Sequence, residues 1–183
     1  MLTYLDIVMT HSNELVEMKA SPAGVLYFHV HNPFINTTKM LTIDEIEKEM
    51  MKKFKMNGLM LSDQNVIRLM DQTLESGDSQ IIAAGIKKDG NLSKKSQVAS
   101  LSEFDDLKTY VRKLYQKTGN AIIDGQLDID PYKLKDKIPC TFCSYKSVCQ
   151  FDEAIEHNQF RVLTPHSKED VLDLIRKEVR EIE

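Results

Sequence analysis

The chain has 183 residues, of which 42% are hydrophobic and 28% are charged, and this composition excludes a disordered or fibrous chain. Its 28 acidic and 24 basic residues leave a formal net charge of −4, so any contact with nucleic acid must come from a local basic patch. No apolar run reaches the roughly 18 residues that span a membrane.

The first predicted elements are a helix and a strand. Apolar residues at helical spacing predict an amphipathic helix over residues 2–18. This helix starts without an N-cap, which fits either a chain cut from a longer protein or a native amino-terminal helix that frays. β-Branched and aromatic residues at 25–31 then predict a strand that ends at Asn32 and Pro33. On such a strand His29 and His31 share one face, which suits either a metal or phosphate site or a simple polar surface.

Two capped helices follow the strand. Thr42 and Glu45 form a capping box for a helix with an apolar stripe, which Asn57-Gly58 is expected to end. Ser62 or Asp63 caps a second helix, and Gly77-Asp78 is expected to break it.

The second half of the chain predicts a hairpin and further helices. Residues 81–86 and 97–99 are the expected arms of a hairpin whose turn lies at 88–91. A helix that begins with Ser102 and Glu103 is expected to end at Thr118-Gly119-Asn120, before an extended segment at 121–125. A last helix is predicted from Lys168 to Ile182. The order of elements indicates an α/β domain with too few strands for a complete doubly wound sheet.

Three cysteines form the strongest motif. Cys140, Cys143 and Cys149 make a C-x2-C-x5-C pattern, with the third cysteine expected on a short helix. An odd number of crowded thiols favours metal ligation over disulfides. Tetrahedral zinc and a [4Fe–4S] cluster both need four ligands, so the fourth would be His157, His166, a residue outside the chain, or no residue at all. Spacing does not separate zinc from iron–sulfur, and three metal-free cysteines remain the alternative.

Basic residues cluster at two places. Lys87-Lys88 and Lys94-Lys95 flank the predicted hairpin turn, and the cysteines are surrounded by lysines that alternate with tyrosines, namely Lys133, Lys135, Lys137 and Lys146 with Tyr132 and Tyr145. Such clusters suit single-stranded DNA through phosphate neutralisation and base stacking, and solvated loops are the alternative. The sequence contains no complete catalytic set of a known motif.

Several segments resemble one family. Pro139 to Asp152, Pro22 to Phe34, Phe54 to Leu59 and Ala84 to Gly90 are similar to the AddB subunits of the bacterial AddAB helicase–nucleases. The resemblance covers nearly the whole chain.

The resemblance implies the carboxyl-terminal part of a PD-(D/E)XK (RecB-like) nuclease domain, an α/β fold with helices and a β-hairpin. Residues 1–165 would belong to the nuclease domain, with the iron–sulfur segment at 139–152, and 166–183 would form a carboxyl-terminal helix. Tyr4 would take the tyrosine place of a Q-x-x-x-Y motif and position the reacting groups. The acids that hold Mg²⁺ in this class, and the lysine that acts with them, would lie outside the chain, and the isolated fragment would be inactive.

The resemblance also implies cofactors and partners. Cys140, Cys143 and Cys149 would hold a [4Fe–4S] cluster with a fourth cysteine from outside the chain. The parent would be an ATP-dependent, Mg²⁺-requiring DNA exonuclease of the cytoplasm that processes double-strand ends for recombinational repair. It would pair with an AddA-type helicase/nuclease subunit and would not bind a membrane.

The expected DNA contacts are lysines, namely Lys87, Lys88, Lys133, Lys135 and Lys146. The alternative function is a small zinc-binding interaction module that uses the three cysteines and His157.

Overall fold

A computed structural model describes residues 1–31 and 33–181. The chain divides into two compact units, Met1–Val111 and Arg112–Glu183. The helices, in chain order, are α1 (Leu2–Thr10), α2 (Ser12–Val16), α3 (Ile43–Phe54), α4 (Gln64–Met70), α5 (Leu101–Ile123), α6 (Lys146–Cys149) and α7 (Lys168–Arg180), with a 3₁₀ helix at Pro139–Phe142. The strands are β1 (Gly24–Tyr27), β2 (Asn57–Leu61), β3 (Gly77–Asp78), β4 (Gly85–Ile86), β5 (Val98–Ala99), β6 (Tyr132–Lys133) and β7 (Arg161–Val162).

This content confirms the predicted α/β class. Among the described helices, none combines the length and the apolar character that crossing a membrane would require. The predicted boundary near residue 165 stays a prediction.

The first unit is organised around strand β2. It pairs antiparallel with β1, with Gly24 opposite Met60 and Tyr27 opposite Asn57. On its other edge it pairs parallel with β5, with Met60 opposite Val98. The sheet order is therefore β1-β2-β5, and the middle strand is the one that the sequence did not predict, because Asn57-Gly58 was expected only to end a helix.

Gly58 is required by the close approach of β1 to β2. A Cβ atom at this position would lie 2.0 Å from the carbonyl oxygen of Val25 and 2.9 Å from the Cα of Leu26. Both are backbone atoms, so a side chain cannot be accommodated by a rotamer change.

An apolar core packs on this sheet. Met60, Ile67 and Ile82 are completely buried, so they bring β2, α4 and the segment before β4 together. The rest of the buried cluster consists of Leu74, Ala84 and Ile86. At about 25 cal/mol per Å² of apolar surface, burial of such side chains is the main favourable contribution to folding of this unit.

The predicted starts of α3 and α4 are confirmed by their capping residues, whereas α5 begins at Leu101, one residue before its predicted start. Thr42 and Glu45 form the predicted capping box at the start of α3. The Asp63 carboxylate accepts hydrogen bonds from the backbone N–H groups of Asn65 and Val66, at 2.7 and 3.3 Å, so Asp63 rather than Ser62 caps α4. Helix α4 ends at Met70, well before the predicted break at Gly77-Asp78.

Three predicted boundaries are wrong. The helix expected over residues 2–18 is divided at His11 and ends at Val16, because Glu17 adopts a left-handed conformation. The predicted strand ends at Tyr27, and its expected end at Asn32 lies outside the described residues. Helix α5 continues to Ile123, so the extended segment predicted at 121–125 is helical over its first part. The last helix begins at Lys168 as predicted, and Ile182 lies outside the described residues.

The predicted hairpin is present only in part. The backbone N–H of Lys87 donates to the Asn91 carbonyl at 2.8 Å, and an antiparallel bridge joins Ile86 to Leu92, so the turn is confirmed. The expected second arm is wrong, because β5 pairs with β2. Strand β4 instead pairs antiparallel with β3.

In the second unit, α7 packs through two buried residues. Ser167 and Asp170 form its capping box, and Leu172 and Val179 are buried. The Lys113 ammonium donates to the Val179 carbonyl at 2.9 Å, which satisfies an acceptor near the carboxyl end of the helix.

Asp71 organises a buried polar network in the first unit. Its carboxylate accepts from the Ser79 hydroxyl at 2.6 Å and from the Thr73 hydroxyl and backbone N–H at 2.7 and 3.1 Å. The Ser79 oxygen accepts in turn from the backbone N–H groups of Ile81 and Ile82, both at 3.1 Å. Burial by itself would raise the pKa of Asp71, but the hydrogen bonds from Ser79 and Thr73 outweigh it, and the pKa lies below its usual value of 3.8.

We predict that Asp71→Asn destabilises the first unit by about 1–3 kcal/mol, because the neutral amide offers one acceptor oxygen in place of two. The lowered pKa means that the ionised form stabilises the fold above pH 3.8, and that this contribution is lost as the pH falls below that value. Urea unfolding at several pH values measures both effects. The exposed Glu75→Gln is the control, and equal stability of Asp71→Asn and the wild type at neutral pH would contradict the prediction.

A pair of glycine variants tests the strand contact. Gly58→Ala should cost about 1–3 kcal/mol, because β1 must move away from β2. At Gly119, near the carboxyl end of α5, an added Cβ would meet no atom within 4 Å apart from the neighbouring backbone of its own helix, so Gly119→Ala should stabilise by about 0.5–1 kcal/mol. Thermal unfolding of the two variants should therefore shift in opposite directions, and a neutral Gly58→Ala would refute the close approach.

Candidate functional site

The cysteine segment begins with a turn that carries two thiols. Pro139 is the first residue of the 3₁₀ helix, where its restricted φ angle suits the start of a helix. Cys140 is the second residue of this helix. The backbone N–H of Cys143 donates to the Cys140 carbonyl at 3.4 Å, so Cys143 caps this turn. The C-x2-C half of the motif is therefore a single local structure.

The third thiol lies on the short helix that the spacing predicts. The backbone N–H of Cys149 donates to the Tyr145 carbonyl at 2.9 Å in the last turn of α6. Gln150 adopts a left-handed conformation and ends the helix, and its side-chain amide donates to the Ser147 carbonyl at 3.2 Å.

The segment between residues 134 and 160 is closed by strands at its two ends. Strands β6 and β7 pair in parallel, with Tyr132 opposite Arg161. The ring of Phe160 packs on Phe151 with centroids 4.8 Å apart, and the Lys133 ammonium lies 5.3 Å from the Phe160 ring. Lys133 also pairs with Glu153 at 3.8 Å. These contacts fix the ends of the cysteine loop, while the thiols lie within it.

The three cysteines differ in their exposure to solvent. Cys143 and Cys149 are exposed and Cys140 is half-buried, and the neighbouring Phe142 is 92% exposed. The three thiols are the donor type that zinc and iron–sulfur clusters require. Within residues 1–31 and 33–181, no three His, Cys, Asp or Glu side chains, His157 and His166 included, are arranged as a group that would hold a metal ion.

The predicted DNA-contacting lysines differ in their surroundings. Lys87 and Lys88 are exposed at the turn of the first unit, beside Asp89. Hydrogen bonds from Asn91, and to a smaller extent the charge of Lys87, hold the pKa of Asp89 below its usual value, so the turn also carries a negative charge. A phosphate approaching this turn would therefore meet both signs of charge.

In the second unit, Lys135 and Lys146 are exposed, and Lys135 adopts a left-handed conformation in a turn. Lys133 is instead engaged by Glu153 and Phe160, which suits a role in closing the cysteine loop.

Tyr4 lies on α1, a helix without buried residues. Its side chain is 70% exposed, so the hydroxyl is accessible to a ligand. Its assignment as a positioning residue stays a prediction.

The first unit contains a groove that the sequence did not predict. It is formed where the end of α3 meets the end of β1, and it carries aromatic side chains and lysines together. The sequence signal is the Lys52-Lys53-Phe54-Lys55 run, but its aromatic neighbours are distant in the chain and are brought to it only by the pairing of β1 with β2.

Residues 1–150 match the family model of the PD-(D/E)XK nuclease superfamily. Proteins named as a subunit of an ATP-dependent helicase/deoxyribonuclease are similar to nearly the whole chain. The protein of Bacillus licheniformis is 54% identical over 97% of the chain, that of Bacillus subtilis is 53% identical over 97%, and one from Bacillus cereus is 50% identical over 98%. The chain spans 15 to 16% of the length of these curated relatives.

We predict that Phe160→Ala loosens the cysteine loop, because it removes both the contact with Phe151 and the ring beneath the Lys133 ammonium. Such aromatic contacts contribute about 0.5–1.5 kcal/mol beyond the area they bury. Hydrogen exchange at β6 and β7 should become faster, by about the factor that this energy implies. Phe142→Ala is the matched control, since that ring is exposed, and an equal effect of the two variants would contradict the account.

Proposed function

Because the chain belongs to the PD-(D/E)XK nuclease superfamily, we propose that it is the carboxyl-terminal part of a nuclease domain in a subunit that degrades DNA ends. The observation that carries this proposal is the identity of more than half of the residues to a protein named as a subunit of an ATP-dependent helicase/deoxyribonuclease. The same names favour this function over a zinc-binding interaction module.

The proposed reaction is Mg²⁺-dependent hydrolysis of DNA phosphodiester bonds. The metal ion supplies a Lewis acid and an activated water. We assign the acids that bind the metal ion, and the lysine that acts with them to activate the water, to a part of the parent protein outside this chain. Tyr4 contributes an accessible hydroxyl on α1 that donates a hydrogen bond to a phosphate or to a neighbouring catalytic side chain.

We further propose that Cys140, Cys143 and Cys149 hold a [4Fe–4S] cluster together with a fourth cysteine of the parent. The support is the donor type and the closed loop that presents all three thiols. The exposed Phe142, Tyr145 and Val148 give this loop apolar side chains without a core of its own, which is typical of a segment that a metal centre orders. A cluster joining distant parts of a chain closes a long loop and so stabilises the domain.

The proposed phosphate contacts are Lys87, Lys88, Lys135 and Lys146. Lys133 is proposed to support the cysteine loop, which carries Lys135 and Lys146. The proposed partner is an ATP-driven AddA-type helicase subunit. The names of the relatives, which describe them as subunits, support a partner of this kind. In this proposal the two subunits process double-strand ends in the cytoplasm for recombinational repair.

The test is degradation of linear duplex DNA by the longer protein together with its helicase partner. We expect degradation that requires both ATP and Mg²⁺. A bound [4Fe–4S] cluster would give the purified protein a brown colour. Cys143→Ser should remove this colour and lower the degradation rate, because the cluster loses one thiolate ligand. Ser144→Ala is the matched control and should keep both properties.

The 183-residue chain alone should leave DNA intact with Mg²⁺. A longer protein that degrades no DNA would overturn the proposed function. A Cys143→Ser variant with full colour and full activity would overturn the cluster while leaving the nuclease assignment in place.

A further inference from the structure

A groove of about 780 Å³ lies within the first unit, where the end of β1 meets the end of α3. Its lining combines four aromatic rings with three lysines, and Pro33 and Asn57 complete it. The rings are those of Tyr27, Phe28, His29 and Phe34, and the lysines are Lys52, Lys53 and Lys55. The proposed nuclease chemistry assigns no role to these residues.

The sheet register brings the two groups together. Tyr27 pairs with Asn57, two residues after Lys55 at the carboxyl end of α3. The ring of Phe28 stacks on Phe54 with centroids 6.1 Å apart and planes inclined by 19°. The aromatic wall is therefore anchored to the helix that carries the lysines.

The aromatic rings of the groove face solvent. Phe34 is 90% exposed, and Tyr27 and Phe28 are each 61% exposed. Neighbouring exposed aromatic side chains mark a surface that binds a ligand more often than scattered single residues do. Phe28 also lines an adjoining apolar hollow of about 290 Å³, whose other walls include Met51, Phe54, Met56 and Ile81. This hollow offers an apolar recess beside the lysines.

The charge of the groove is positive although the chain carries a net charge of −4. Among the described residues, no Asp or Glu lines the groove. The Lys52 ammonium pairs with Glu49 at 2.5 Å, whereas Lys53 and Lys55 form no ion pair within the part of the chain that the structure describes. The helix dipole by itself favours lysines in the last turn of a helix, so the lysines alone do not indicate a ligand. The aromatic side chains beside them are the observation that does.

We propose that this groove binds a short stretch of single-stranded DNA, with bases stacked on Phe34 and Tyr27 and phosphates beside Lys53 and Lys55. Stacking requires bases whose faces are not covered by neighbours, which single strands offer and duplexes do not. The choice of DNA as the nucleic acid rests on the proposed function, while the combination of rings and lysines stands on the geometry alone. The groove guides the strand and takes no part in hydrolysis.

The absence of tryptophan from the sequence gives a direct assay of stacking. Phe34→Trp introduces a single indole at the groove, and oligodeoxythymidylate added without Mg²⁺ or ATP should quench its fluorescence. Leu69→Trp, at a 74% exposed position on α4, is the matched control and should not be quenched.

Affinities measured by anisotropy of a labelled oligonucleotide separate the two kinds of contact. Phe34→Ala should weaken binding by about tenfold, the loss expected for one stacked base. Lys53→Ala should reduce the slope of log affinity against log salt concentration by about 0.7, the value for one phosphate contact on a single strand. Lys117→Ala, on the exposed surface of α5, should change neither quantity.

Quenching confined to the Phe34→Trp variant, with the expected losses in Phe34→Ala and Lys53→Ala, supports the proposal. Unquenched fluorescence in a normally folded Phe34→Trp variant overturns it, as would be found if another protein occupied this surface. Equal quenching of Leu69→Trp also overturns it. So does weaker binding by Lys53→Ala when Phe34→Ala binds as tightly as the wild type. The proposed function fails separately, if the longer protein does not degrade DNA, and that result leaves the groove measurements unchanged.

Discussion

The contact between Gly58 and the carbonyl of Val25 allows β1 and β2 to pair, and the first unit depends on that pairing. Strand β2 then presents Met60 to the buried core on the sheet and pairs with β5 along its other edge. The same register sets the end of β1 beside the end of α3. A single close backbone approach therefore determines both the core and the surface on which aromatic rings and lysines meet.

The second unit uses a different device to position its cysteines. The pairing of β6 with β7 and the contacts of Phe160 close a loop whose own side chains are mostly exposed. Local hydrogen bonds shape the turn at Cys140 and Cys143 and the short helix at Cys149, but no buried core holds the loop together. A bound cluster would supply the missing cross-links, so the proposed cofactor would have a structural role.

The sequence predicts features that local chemistry decides. Thr42 and Asp63 start helices because their side chains accept backbone hydrogen bonds within the same turn, and the C-x2-C spacing fixes its own turn. Strand β2 escapes prediction because Asn57-Gly58 is typical of a helix end, and only the partner strand shows why glycine is needed. The groove escapes prediction for the same reason, since residues near 28 and 53 meet through strand pairing.

The central proposal is that this chain binds the DNA strand that its parent protein is proposed to degrade. The most direct measurement is photo-crosslinking of a single strand, carrying light-sensitive bases, to the longer protein and its partner during ATP-driven degradation, followed by mapping of the attached peptides. We expect crosslinks to peptides that contain Tyr27 to Phe34 and Lys52 to Lys55, together with shortening of the DNA. Shortening without any crosslink to this chain, or no shortening at all, would contradict the account.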